Sequence, residues 1–138
     1  MIIAVDFDGT CVKHKYPLIG EDIGAIPVLK ELIDNGHQLI LWTMRSGKEL
    51  DEAIYWFETN EIPLYGINTN SEQSTWTSSP KCYAQLYIDD AALGCPCLVD
   101  IKLNDEDEFE KVGKSYVDWE EVRRMLVLKQ LIEEWWLI

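Results

Sequence analysis

The sequence predicts an α/β fold: a doubly wound, mostly parallel sheet in three layers, with helices on both faces, built by residues 1–138 as one domain. Three observations predict it. Short apolar runs alternate with amphipathic segments of helical length in the order strand, helix, strand, helix, strand. Several of these runs end on aspartate or threonine, as at Asp6, Thr43 and Asp89. At 138 residues, 47% hydrophobic and 27% charged, the chain has the size and composition of a globular domain with one core.

The first strand is Met1-Ile2-Ile3-Ala4-Val5, followed by Asp6-Phe7-Asp8-Gly9-Thr10. A polar stretch from Cys11 to Gly20 leads into a helix with Ile23, Ile26, Val28-Leu29, Leu32 and Ile33 at helical spacing, which Asn35-Gly36 stops. His37 to Thr43 is the second strand, and Lys48 to Asn60 a second helix with Leu50, Ala53-Ile54 and Trp56-Phe57 on its inner face. Pro63 to Ile67 is a short third strand. Asn68 to Pro80 is polar and reads as a loop or loose helical turn, and Ala84 to Ile88 as a fourth strand ending on Asp89-Asp90. Cys97-Leu98-Val99 is a further short strand, and the acidic run Asn104 to Lys111 a solvated loop. From Asp118, an N-cap, to about Trp135 the pattern is amphipathic and helical, packing on the core or on a partner.

A net charge of −13 opposes nucleic-acid polymers and anionic membranes. No stretch is long and apolar enough to span a bilayer, and the first residues form a strand in place of a cleavable leader, so the expected compartment is the cytoplasm. Cys11, Cys82, Cys95 and Cys97 lack metal-finger spacing and read as buried free thiols, with a zinc site as the alternative.

The chemistry lies at the strand ends. Side chains alternate faces along a strand, so Asp6 and Asp8 point the same way, with Phe7 opposite, and repel unless a proton or a cation intervenes. A hard cation such as Mg2+, which prefers oxygen ligands, answers that need. Asp-Gly is equally an ordinary turn signal. Right-handed crossovers bring the carboxyl ends of parallel strands to one edge, where Asp6, Asp8, Thr43, Asp89 and Asp90 gather. Gly9 and Thr10 border the pair and, with Arg45, are candidate substrate contacts. Lys81, before the fourth strand, is a candidate anion contact. Acids for a metal, a nucleophilic carboxylate, a hydroxyl and a lysine are the equipment of phosphoryl transfer.

These residues resemble the haloacid dehalogenase (HAD) superfamily of phosphohydrolases. Asp6-Phe7-Asp8-Gly9-Thr10 is similar to its first motif, Leu41-Trp42-Thr43 to its second, Lys81 to its third, and Tyr87-Ile88-Asp89-Asp90 to its fourth, all within residues 1–90. The resemblance implies a Rossmann-like core and a Mg2+-dependent phosphatase working through an aspartyl-phosphate. It implies Asp6 as nucleophile, Asp8 as general acid and base whose carbonyl joins the metal shell, Thr43 as a phosphoryl contact and Lys81 as charge neutraliser. Asp89 would bind the metal, with Asp90 either holding the ligands from behind or joining the metal site itself, through water or directly. The gaps between motifs hold no sizeable cap, so the site is expected to be open to a small phosphate ester. Trp76, in the 68–80 loop, is either a substrate contact or an anchor to the core. Trp135-Trp136 either closes over the domain or meets a second subunit in a homo-oligomer.

Two other classes share parts of this equipment. A phospho-receiver or phosphate-binding signalling module also combines acids, threonine and lysine, but carries its phosphorylated aspartate after a middle strand. An interaction protein that keeps the scaffold without turnover is the third reading.

Overall fold

The apolar run Ile2–Val5 (β1) is an inner strand, flanked on both sides by parallel neighbours. The structure, a computed structural model, describes residues 1–134. Strands β2 (Gln38–Leu41), β3 (Gly66–Ile67) and β4 (Leu86–Ile88) complete a four-stranded parallel sheet in the order β3-β2-β1-β4. Helices α1 (Ala25–Asp34) and α2 (Gly47–Thr59) make the first two crossovers, as the 3.6-residue period of their apolar positions requires. All four strands therefore end at one edge.

Register assigns the two faces of this sheet. Ile3 pairs with Leu39 and Leu86, and Val5 with Leu41 and Ile88, so these residues share a face. They join the buried side chains of α1 and α2, together with Trp119, Val122 and Leu126, in one core cluster. Ala4, Ile40 and Tyr87 pair across the opposite face. There the tyrosine hydroxyl donates to the Cys82 carbonyl, and the Lys81 ammonium lies 5.6 Å over the Tyr87 ring. The expectation of helices on both faces is thus met on one. Residues 68–85 lack an apolar stripe and instead form a loop with one 3-10 turn, Gln73–Thr75. The buried Gln73 amide organises it, donating to the carbonyls of Ser79 and Lys81 and accepting from Tyr83 N–H. Trp76 is not a core anchor: it is 64% exposed and stacks edge-on against Tyr83.

After β4 the chain departs further from expectation. The 104–111 run read as a solvated loop is a turn over 104–108 and the start of a strand, because the strand expected at 97–99 runs on to Leu103 as β5 (Cys97–Leu103) and pairs with β6 (Phe109–Val117) in an antiparallel hairpin. Its acidic turn is exposed, but it is built: Asn104 Oδ1 accepts from the N–H groups of Glu106 and Glu108, and Asp107 takes a left-handed φ of 59°. Helix α3 (Trp119–Leu128) begins at the predicted cap, where the Asp118 carboxylate accepts from Glu121 N–H. It stops well before Trp135, because Gln130 turns left-handed at φ 62° and Leu131 N–H reaches back to Leu126 O. Trp135 and Trp136, and the oligomer contact expected of them, lie outside the described residues.

The same terminator closes α2, with Glu61 at φ 56° and Ile62 N–H bonded to Phe57 O. An L-residue is strained there, whereas glycine is not. Glu61→Gly is expected to stabilise the protein by about 0.5–1 kcal/mol, read as a higher urea midpoint at unchanged m-value. A lower midpoint would contradict the left-handed terminator.

Candidate metal and phosphate site

At the carboxyl edge, Asp6 N–H extends the sheet ladder by donating to Ile88 O at 3.0 Å. This puts the first residue after β1 beside the first two after β4. One carboxylate oxygen each of Asp6, Asp89 and Asp90 lies within 4.8 Å of the other two. Thr10 ties the cluster together. Its hydroxyl accepts from Asp90 N–H at 3.1 Å and faces Asp6 Oδ2 at 2.9 Å and Asp90 Oδ1 at 3.2 Å. A hydroxyl carries one proton, so it serves one of those oxygens at a time. Burial first, then the charge of Asp89, push the Asp6 carboxyl up to about 8.

Asp8 does not join this cluster. Strand β1 ends at Val5 and the Phe7 carbonyl accepts from Thr10 and Cys11 N–H, so the two-residue period no longer governs Asp8. Its carboxylate turns to Arg45, which binds it through both oxygens, Nε to Oδ2 at 2.8 Å and Nη2 to Oδ1 at 2.7 Å. The remaining guanidinium protons go to the carbonyls of Pro17, Leu18 and Glu49. Arg45 is 3% exposed, and all five of its donors are used. It is therefore an internal brace joining the 16–18 loop, α2 and Asp8, and has no donor left for a substrate phosphate, contrary to expectation. Lys81 is also displaced from its expected place. Among the described residues no carboxylate lies within 4.0 Å of its ammonium, which sits on the Tyr87 face.

Thr43 stands where expected. It shares a cleft of about 420 Å³ with Asp6, Asp89, Trp42, Met44 and Asn68. Its N–H donates to Asn68 Oδ1 at 2.8 Å, and its hydroxyl accepts from Arg45 N–H at 3.1 Å. The hydroxyl proton remains for an acceptor in the cleft. Sequence reasoning missed Asn68, which takes a left-handed φ of 54° at the end of β3. It also missed His14, whose Nε2 lies 2.8 Å from Asp90 Oδ2.

The loop bearing Gly9, Thr10 and His14 is fixed from behind by the C-terminal elements. Val117 N–H donates to Gly9 O at 2.9 Å, and Trp119 Nε1–H to Thr10 O at 2.6 Å. Lys13 pairs with Asp100 at 2.7 Å, while the Tyr116 hydroxyl donates to the same carboxylate.

The structure superposes with a TM-score of 0.71 on that of a conserved protein coded by a locus of Bacteroides thetaiotaomicron. The two sequences are 38% identical over 94% of this chain and 91% of that one. The chain belongs to that protein's family. No family model and no curated protein matches it. Family membership thus covers nearly all of the chain, and not only the strands that carry the acids. Among its described residues no helix is long and apolar enough to cross a membrane. Cys11 and Cys82 are buried free thiols, and Cys95 and Cys97 are half-buried and also free.

Proposed function

We propose that the protein is a Mg2+-dependent phosphatase of HAD type, which hydrolyses a small phosphomonoester through an aspartyl-phosphate on Asp6. The observation that carries this reading is the convergence of Asp6, Asp89 and Asp90 beside the Thr43 cleft. The donor set fits the ion: three carboxylates, all oxygen, crowded enough that one of them resists ionisation without a positive partner. Asp6, Asp89 and Asp90 would hold Mg2+, which when bound would favour the charged form of Asp6 and offset the negative charge of the phosphate.

The chain's own residues supply the rest. An Asp6 oxygen forms the new bond to phosphorus while the bond to the leaving oxygen breaks, and water then hydrolyses the acyl-phosphate. Thr43 donates its free hydroxyl proton to a phosphoryl oxygen, and Thr10 steadies the Asp6 oxygen it faces. Asp8 is the acid for the leaving oxygen and the base for the water, on one condition. Arg45 occupies both its oxygens, so one must part from the guanidinium before Asp8 moves a proton. That brace also favours a second reading, a phosphate-holding signalling module, because an acyl-phosphate without a free base beside it is long-lived.

Phosphate release from a panel of sugar, nucleotide and aryl phosphates, with Mg2+ and with EDTA, separates the two. The phosphatase reading expects Mg2+-dependent release with multiple turnovers. A stable phosphoprotein with at most one phosphate per chain would establish the signalling module, and no release or labelling across the panel would overturn both.

A further inference from the structure

We propose that His14 is a positioning residue for the divalent-cation site, holding Asp90 with one oxygen turned toward Asp6 and Asp89. The inference rests on the reading of those three carboxylates as cation ligands. Its warrant is an account of Asp90's hydrogen bonds. Asp90 Oδ1 faces the Thr10 hydroxyl, whose one proton is shared with the nearer Asp6 oxygen, and the Asp6 carboxyl bonds to Asp90 only while it keeps its own proton. Asp90 Oδ2 accepts from His14 Nε2 at 2.8 Å. A carboxylate only accepts, so that nitrogen carries a proton. Once Asp6 is ionised, as a cation ligand must be, His14 is among the described residues the one side chain that donates to the Asp90 carboxylate alone.

The backbone makes room for this contact. A Cβ on Gly9 would lie 2.0 Å from His14 Nε2 and 2.6 Å from Asp90 Oδ2. Gly9 also takes φ +79°, where side chains are strained. Glycine at this position therefore lets the imidazole approach Asp90 across the turn. Lys13, the residue before His14, is pinned to Asp100 on the hairpin, which limits where the imidazole can go.

Carboxylate ligands are commonly held by such outer hydrogen bonds, and losing one lowers metal affinity by about 10–100-fold. The test is Mn2+ binding by calorimetry and by electron paramagnetic resonance, on wild type, His14→Ala, His14→Phe and His14→Gln. Phenylalanine keeps a ring without a donor, and glutamine offers an N–H at similar reach. The expected result is a Kd raised about 10-fold or more in His14→Ala and His14→Phe, with most of the affinity restored in His14→Gln. Equal melting temperatures in EDTA would show that the fold is not what changed. Unaltered Mn2+ affinity in the alanine and phenylalanine variants would overturn the role of His14 alone, and so would glutamine binding as weakly as alanine. Wild type that binds no Mn2+ would overturn the cation site itself and the role of His14 with it.

Discussion

Asp6→Asn is expected to abolish Mg2+-dependent phosphate release, by on the order of 10⁴-fold or more, and at the same time to raise the melting temperature of the metal-free protein at pH 8. The first effect follows from the proposed chemistry, since an amide does not attack phosphorus. The second follows from burial. In the folded protein the Asp6 carboxyl titrates at about 8, against 3.8 when solvated. Between those values the native state binds the extra proton, so stability is fully present below about pH 4 and is lost as pH rises toward 8. Asparagine keeps the shape and never ionises. The stability difference at pH 8 is a few kcal/mol, or about 5–10 °C in Tm for a domain of this size. Melting curves of both proteins in EDTA from pH 5 to pH 8.5 measure it. Wild type should fall across that range while the variant stays level, and Mg2+ should recover wild type only. Parallel curves would mean that Asp6 is ionised and well solvated, contrary to the crowding described.

Arg45→Ala is expected to cost about 3–5 kcal/mol. It leaves the partly buried Asp8 carboxylate uncompensated and three carbonyls without their donors. Lysine does not rescue it, because one ammonium lacks the planar fork that five acceptor contacts require. Adding Asp8→Asn to Arg45→Ala removes the stranded charge and should recover part of the loss, a coupling that urea denaturation of the four proteins reads directly. A loss below about 1 kcal/mol would put this pair with ordinary exposed ion pairs.

Both expectations turn on what the sequence does and does not display. The parallel sheet and the gathering of Asp6, Thr43, Asp89 and Asp90 at its edge were legible because each lies directly after an apolar strand. Asp8 was not, because the two-residue period applies only as far as the strand, and that ends at Val5. Arg45, two residues after Thr43, read as a candidate substrate contact. Only the tertiary meeting of the 16–18 loop with α2 surrounds it with acceptors. The hairpin was hidden by its acidic turn, whose charge outweighed the weak alternation of the flanking strands. The end of α3 at Gln130 carries no glycine to announce it, whereas α2 ends at Thr59, within a residue of the expected Asn60.

The anchoring of residues 9–14 by Val117, Trp119 and Asp100 bears on the order in which the protein is made. Every residue with a chemical part in the proposed reaction leaves the ribosome by Asp90, yet the supports of the Gly9–Thr10 turn emerge only with the last quarter of the chain. A nascent chain that has already exposed all its acids has not yet fastened the turn that aligns them. Synthesis thus delivers the reactive groups first and their alignment last.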